Sequence, residues 1–311
     1  MKVYKLPECK ETAALPEGCA LALGNFDGVH RGHQKLFEAA RADVRAGRAK
    51  ACAAWTFTTL AKPLSAVPYI TDMRTKLELF ADYGLDYAVF EDFERVRDMK
   101  SADFVENYLI RRMKAASIIC GFNFRFGCGG MGDASQLSSL LAKHSIPCTV
   151  LSPVTKKGHI ISSSKIRELL IDGDMDGAYD LSGHPFTICF PVVHGNQLGR
   201  TIGIPTINQN FPPGHIIPRH GIYACTVTVG DDLFLGVANI GSRPTVSDGN
   251  KINCETHIID YSGMLYGKEI KVAFYILIRE EKRFDSVEEL REQILRDARA
   301  AKDYFYAMYG G

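Results

Sequence analysis

No stretch of this sequence approaches the roughly 18 consecutive apolar residues that mark a membrane-spanning helix, so no membrane is expected as a partner. Neither sign of charge dominates: 37 Lys and Arg stand against 36 Asp and Glu, for a net charge of +1. A nucleic-acid binder carries a basic footprint; none is present, nor any basic or acidic tail, so no nucleic acid is expected either. No CxxC pair occurs among the nine cysteines, which lie scattered at 9, 19, 52, 120, 128, 148, 189, 225 and 254. An odd count in a long chain points to reduced thiols in a cytoplasm, not to a disulfide framework or a zinc site. The opening Met1-Lys2-Val3-Tyr4-Lys5, followed by Leu-Pro-Glu-Cys-Lys, is no apolar signal segment. Internal repeats and low-complexity segments are lacking too, and oligomeric state leaves no mark. What remains is 311 residues, 46% apolar and 23% charged, the profile of an ordinary globular protein with room for two domains.

Two rhythms divide the chain. The first half alternates short apolar runs with amphipathic stretches. The pattern predicts strands over 19–23, 51–57, 87–90, 117–121 and 147–151. Between them it predicts helices over 34–48, 71–83, 101–113 and 133–144. That alternation argues a parallel sheet with helices on its faces. Two short helices over 162–170 and 175–181 follow. After about Gly183 the runs become β-rich, over 186–193, 221–229, 233–240, 252–260 and 270–277. Gly, Pro, Asn and Asp separate them, which suits an antiparallel barrel. A last helix over 286–306 repeats Val287, Leu290, Ile294, Ala298 and Ala301 at helical spacing, with Ser286 and Glu289 as a capping box. The expected domains are 1–183 and 184–311.

Gly24-Asn25-Phe26-Asp27-Gly28 ends the first predicted strand, at the edge where parallel sheets bind ligands. The helix that follows offers free N–H groups to a phosphate. His30 and His33 stand three apart and can face one ligand from its first turn. An imidazole there can donate a hydrogen bond to phosphate or carry charge if protonated. A turn with incidental histidines and a metal pair are the alternatives, but no third metal ligand is evident. In the second half, His194-Gly195-Asn-Gln-Leu-Gly199-Arg200-Thr201 is a glycine-spaced loop whose amides can cradle an anion. It is not a Walker A loop, because the glycines are four apart and the cation is Arg. Thr206 and Asn208, shortly after, offer hard oxygens suited to Mg²⁺ beside nucleotide phosphates. A hairpin with turn residues is the bland alternative. Gly127-Cys-Gly129-Gly-Met-Gly132 spells GxGxxG, but it follows a later strand and lacks the acidic residue about 20 positions on that a dehydrogenase needs.

His30-Arg31-Gly32-His33 matches the HxGH signature of nucleotidylyltransferases. The longer string 24–33, with Gly121-Phe-Asn-Phe-Arg-Phe-Gly127 and Ile161-Ser-Ser-Ser-Lys-Ile-Arg167, resembles the adenylyltransferase module of prokaryotic bifunctional riboflavin kinase/FAD synthetases. Pro205-Thr206-Ile207-Asn208, the 236–245 segment and Glu255-Thr256-His257 resemble that family's riboflavin kinase module. The resemblance implies a Rossmann-like nucleotidylyltransferase domain followed by an antiparallel β-barrel kinase domain with a C-terminal helix. It implies ATP at Gly24, Asn25, Phe26, Asp27, His30 and His33, with Ser164 and Arg167 closing on the phosphates. It places flavin at Asn123, Phe124, Arg125 and Phe126, with the glycine-rich 127–132 loop beside it. In the second module it implies ATP at Gly195, Gly199, Arg200 and Thr201, metal at Thr206 and Asn208, and Glu255 as general base. The substrates implied are riboflavin, FMN and ATP, with Mg²⁺. Two departures stand out. The segment 56–63, Thr-Phe-Thr-Thr-Leu-Ala-Lys-Pro, lacks the histidine of the family's TFxPHP pattern. Near Asp297, Ala301-Lys302 replaces the usual Ala-Arg, and lysine lacks bidentate geometry. The alternatives are a flavin-binding paralogue that keeps one activity, or an adenylyltransferase for another phosphate acceptor.

Overall fold

The computed structural model describes residues 1–6, 17–58, 67–195, 198–243 and 251–309. Cys9, the 59–63 part of the departing segment, residues 196–197 of the second loop and 244–245 lie outside the described residues. Packing gathers Met1–Tyr69 with Lys76–Ser162 into one unit, and Ile70–Thr75 with Ser163–Gly311 into another. The helices Ser163–Asp172 and Met175–Ser182 therefore group with the second unit.

The first unit is built on a parallel sheet. Its strands are β1 (Lys2–Lys5), β2 (Cys19–Leu23), β3 (Ala51–Phe57), β4 (Tyr87–Glu91) and β5 (Ala115–Gly121). After the two-residue strands β6 (Arg125–Phe126) and β7 (Gly132–Asp133) comes β8 (Cys148–Leu151). The spatial order is β1-β4-β3-β2-β5-β8. β1 was not expected from sequence: Lys-Val-Tyr-Lys is short, and only Tyr4 is buried. β2 is thus the second strand in the chain, yet it lies between β3 and β5. The chain runs outward from β2 on one side and then returns to its other side. Such a switch point opens a crevice at the carboxyl end of the strand.

Both faces of β2 are buried, which explains its unbroken apolar run. Cys19, Leu21 and Leu23 join a core with Trp55, Tyr108, Leu109, Ile118 and Leu137. Ala20 and Ala22 point the other way, since side chains alternate along a strand. Their small size admits the helix Arg31–Arg45, which buries Leu36, Phe37 and Ala40. The predicted helix over 101–113 is a short α-turn, Ser101–Asp103, continuing as a π-helix, Phe104–Arg112. All eight described cysteines are free thiols.

The second unit contains a closed antiparallel barrel. Beyond the small hairpin strands β9 (Thr155–Lys156) and β10 (His159–Ile160) of the first unit, its strands are β11 (Phe186–Val193), β12 (Thr206–Asn210) and β13 (Gly221–Val229). They continue with β14 (Asp232–Arg243), β15 (Lys251–Ile258) and β16 (Glu269–Arg279), closing in the order β11-β12-β15-β14-β13-β16. Closure removes every exposed edge. Sequence reading did not list β12, because its Thr-Ile-Asn-Gln-Asn carries one apolar residue.

The helix Val287–Tyr309 packs Ala298, Ala301 and Phe305 against Ile222, Ala224 and Val237. Ser286 caps it through the Glu289 amide (3.2 Å), while the Glu289 carboxylate reaches the Asp285 amide instead of closing the box on Ser286. Asp297 anchors the helix: Arg279 grips its two oxygens (3.0 and 2.7 Å), and Gln293 adds a third bond (2.8 Å). Asp297 is 3% exposed. Removing one partner of such a pair leaves a poorly solvated charge behind, so Asp297→Ala is expected to cost about 3 kcal/mol. Urea unfolding of the full chain measures it. Lys302, the departure from the family pattern, bonds Asp260 (2.8 Å).

Candidate active sites

The first site grows from the carboxyl end of β2. Gly24 closes the strand by donating its amide to the Trp55 carbonyl (3.2 Å). The chain then turns sharply, with φ of 49° at Phe26, 78° at Gly28 and 34° at Val29. Positive φ at a bulky or β-branched residue is strained and persists only where surroundings enforce it. Here they do. The Phe26 ring is fully buried, edge-on to His33 (5.3 Å) and Phe80 (5.7 Å) and tilted on Phe37 (4.9 Å). Its side chain is thus a wedge under the turn, and only its backbone is available to a ligand. Asn25 is exposed, while its carbonyl is held by Thr56 Oγ1 (3.1 Å) and Lys76 Nζ (3.1 Å). Asp27 is buried.

His30 is the N-cap of the helix Arg31–Arg45: its Nδ1 accepts the His33 amide at 3.3 Å. The helix therefore begins three residues before the predicted start, and the two histidines belong to its cap and first turn. Their rings stack, with centroids 3.6 Å apart and planes 14° from parallel. Burial, then the neighbouring His30, then Lys76 push the His33 imidazole well below its ordinary value. Of the two roles the sequence left open, this direction favours the neutral, hydrogen-bond-donating ring over the charged one. Its Nδ1 is buried without a hydrogen-bond partner. The glycine of the HxGH string has a steric reason: a Cβ at Gly32 would lie 3.1 Å from the His30 ring. Gly32→Ala is expected to push His30 out of its stack and to impair the chemistry of this turn more than that of the barrel, read by assaying the two sites separately.

The segment 123–126, expected to meet flavin, lies past β5. Asn123 and Arg125 are exposed, and Phe124 is half-buried, stacked on Phe126 (6.0 Å, 16°). Phe126 itself is 6% exposed and belongs to the core, so it supports Phe124 from below. In the GxGxxG string, a Cβ at Gly127 would meet Ser101 Oγ at 2.5 Å, and one at Gly132 the Phe126 ring at 2.8 Å. These glycines serve packing, and Asp133 caps the helix Ala134–Ala142 that follows. Ser164 lies in the first turn of the helix Ser163–Asp172, with Arg167 one turn along.

The second site lies on the barrel strands β12 and β15. Alternation and register put Thr206, Asn208, Asn253, Glu255 and His257 on one face, with Asn208 and Asn253 buried and Thr206, Glu255 and His257 half-buried. Register places Asn208 directly across from Glu255, and Glu255 across from Asn239 on β14. Thr206 Oγ1 donates to Glu255 Oε1 at 2.7 Å. Asn208 Oδ1 accepts from Asn253 Nδ2 at 3.0 Å, and the His257 ring bonds the Pro205 carbonyl at 3.0 Å. A cleft beside them is lined by Gly195, Pro205, Thr206, Asn208, Met264 and Tyr266. His194 closes one wall by stacking on Tyr266 (4.1 Å). Gly199, Arg200 and Thr201 form part of a short helical turn, Leu198–Thr201, not an open loop. Gly199 is buried there and its carbonyl accepts the Ile204 amide (2.7 Å).

Sequence reading missed Lys76, Asn239 and Asn253. The alternation Asn253, Glu255, His257 against Cys254 and Thr256 carries a period-2 signal that marks Asn253. Asn239 and Lys76 carry none: their importance lies in strand register and burial.

Residues 12–165 match the family model described as FAD synthetase, and residues 182–305 the one described as riboflavin kinase. The chain is 36% identical over 297 residues to the bifunctional riboflavin kinase/FMN adenylyltransferase of Escherichia coli (strain K12), covering 93% of each. It is 32% identical over 293 residues to the protein of that name from Bacillus subtilis (strain 168), covering 92% of each. A solved structure titled as a macrolide-efflux protein from Streptococcus pneumoniae superposes with a TM-score of 0.85 at 27% identity, covering 97% of this chain and 99% of that one. Among the described residues, no helix is long and apolar enough to cross a membrane. A parallel sheet with paired histidines at its switch point, a closed barrel with a Thr–Glu–Asn cluster, and full-length identity above 30% agree: the chain belongs to the bifunctional riboflavin kinase/FMN adenylyltransferase family.

Proposed function

We propose that this chain makes FMN from riboflavin and ATP on its barrel, and FAD and pyrophosphate from FMN and ATP at the 24–33 turn. The bond from Thr206 to Glu255, with Asn208 across the strand, carries the kinase assignment. Glu255 accepts the proton of riboflavin's terminal hydroxyl as its oxygen attacks the γ-phosphorus and ADP leaves. The Thr206 hydroxyl, donating to one carboxylate oxygen, fixes the rotamer and leaves the other oxygen for the substrate. The donor set suits a hard cation: Thr206 and Asn208 supply neutral oxygens, and among the described residues no cluster of three His, Cys, Asp or Glu competes for a softer metal. When bound there, Mg²⁺ would neutralise phosphate charge. Gly195 and the turn at Gly199, Arg200 and Thr201 would flank the triphosphate.

For adenylyl transfer, a phosphate oxygen of FMN attacks the α-phosphorus and pyrophosphate leaves. The nucleophile is already an anion, so no strong base is required. The site's task is to hold two anions together. His30 and His33 would donate to phosphate oxygens, along with the amides of the helix start. Asn123, Phe124 and Arg125 present an amide, an aromatic face and a cation to flavin, with Phe126 beneath. We place the functional boundary near residue 183 and the enzyme in the cytoplasm, where its cysteines stay reduced.

Purified protein incubated with riboflavin, ATP and Mg²⁺, with products separated by chromatography, tests the reading. Both FMN and FAD are expected. FMN alone would remove the adenylyl assignment, and neither product would leave a flavin-binding paralogue.

A further inference from the structure

Lys76 is the observation the two reactions leave unused. Lysine is almost never buried unless something holds it. Yet Lys76 is 7% exposed, and its Nζ donates to the Asn25 carbonyl at 3.1 Å. That carbonyl belongs to the turn that carries both histidines. It also accepts Thr56 Oγ1 at 3.1 Å, from the fully buried end of β3. A helix and a strand thus converge on one main-chain oxygen of the ATP turn.

The electrostatics give this placement a purpose. Two substrates that both carry phosphate must be brought together, so positive charge is needed. His33 is a poor source of it, because burial, His30 and Lys76 all push its ring toward the neutral form. Stacking at 3.6 Å also makes a proton on either ring costly to the other. Among the described residues, the groups placed against His33 are its stacked partner His30, the edge of Phe26 and Lys76 from the helix Met73–Asp82, with buried Asp27 in the same turn. Of these only Lys76 carries an ammonium group, and its charge acts on the His33 ring.

We propose that Lys76 is a positioning residue for adenylyl transfer: clamped on the Asn25 carbonyl, it fixes the 24–33 turn and sets a positive charge behind the paired imidazoles. The proposal rests on the assignment of adenylyl transfer to that turn. Its ammonium favours the neutral form of His33 and lowers the repulsion between the incoming phosphates. In free solution a histidine protonates near pH 6.5. Removing a nearby cation makes protonation easier, so His33 would then take up its proton at higher pH.

The test uses the full chain with Lys76→Met, Lys76→Arg and His33→Ala. FAD formation from FMN and ATP is followed across pH, and FMN formation from riboflavin serves as internal control. Lys76→Met is expected to slow FAD formation about 10²-fold, the usual loss for one electrostatic donor. FMN formation stays unchanged, and the acidic limb of the FAD profile moves to higher pH. Lys76→Arg keeps the charge and is expected to keep the wild-type limb while recovering part of the rate. Lys76→Met with undiminished FAD formation, beside an impaired His33→Ala, overturns the role of the lysine alone. Undiminished FAD formation in His33→Ala overturns the site itself. If Lys76→Met also lowers the unfolding midpoint, the residual FAD activity decides: an unmoved acidic limb, or equal loss in Lys76→Arg, reduces the lysine to a folding contact and overturns the proposal.

Discussion

Glu255→Ala is expected to cut FMN formation by about 10²–10⁴-fold, the contribution of a positioned general base. FAD formation from supplied FMN should persist. The expectation follows from geometry within the barrel. Glu255 is half-buried on β15, receives the Thr206 hydroxyl at 2.7 Å and faces Asn208 across the register. Truncation removes the proton acceptor and frees the Thr206 hydroxyl to rotate. Glu255→Gln keeps the size and an oxygen for Thr206 but has no basic carboxylate. It should therefore lose nearly as much rate while holding the wild-type unfolding midpoint. Full kinase activity in the Gln variant would remove Glu255 from the reaction.

His30→Ala is the mirror experiment. FAD formation should fall about 10²–10³-fold, the range for loss of a preorganised donor, with FMN formation spared. His30 has two roles that must be separated. It caps the helix Arg31–Arg45 through its Nδ1, and an N-cap is worth about 0.5–2 kcal/mol. Its ring also lies on His33. His30→Asn restores a good cap without the imidazole. Loss of FAD formation in both variants assigns the effect to the ring. Recovery in His30→Asn would assign it to the helix start instead. Equal loss of both reactions in either variant would argue against two sites.

Much of the fold was legible. The short apolar runs of β2, β3 and β5, alternating with amphipathic stretches, marked the strands of a parallel sheet, whose buried position suits such continuous runs. The barrel strands β13 and β16 were equally plain. β1 and β12 were not, since each is too short or too polar to show a period on its own. β12 is defined by its partners: it pairs with β15 over five residues, and its polar face is the one proposed to meet the metal and the base. The π-helix over Phe104–Arg112 was invisible as well, because apolar spacing does not separate 3.6 from 4.4 residues per turn over so few residues.

The motifs themselves were set by local chemistry. A glycine that lets His30 fold back, a histidine that caps its own helix, and a Thr and an Asn two apart on a strand all act over a few residues. The chain order of amino acids therefore determined which side chains are proposed for phosphate chemistry, and in which half. Tertiary structure decided the rest. Only the strand order makes the end of β2 a switch point, and only the fold buries Lys76, otherwise a common helix residue, against the Asn25 carbonyl beside the paired histidines. Burial and cross-strand register depend on what lies across space, and a sequence records only what lies along the chain.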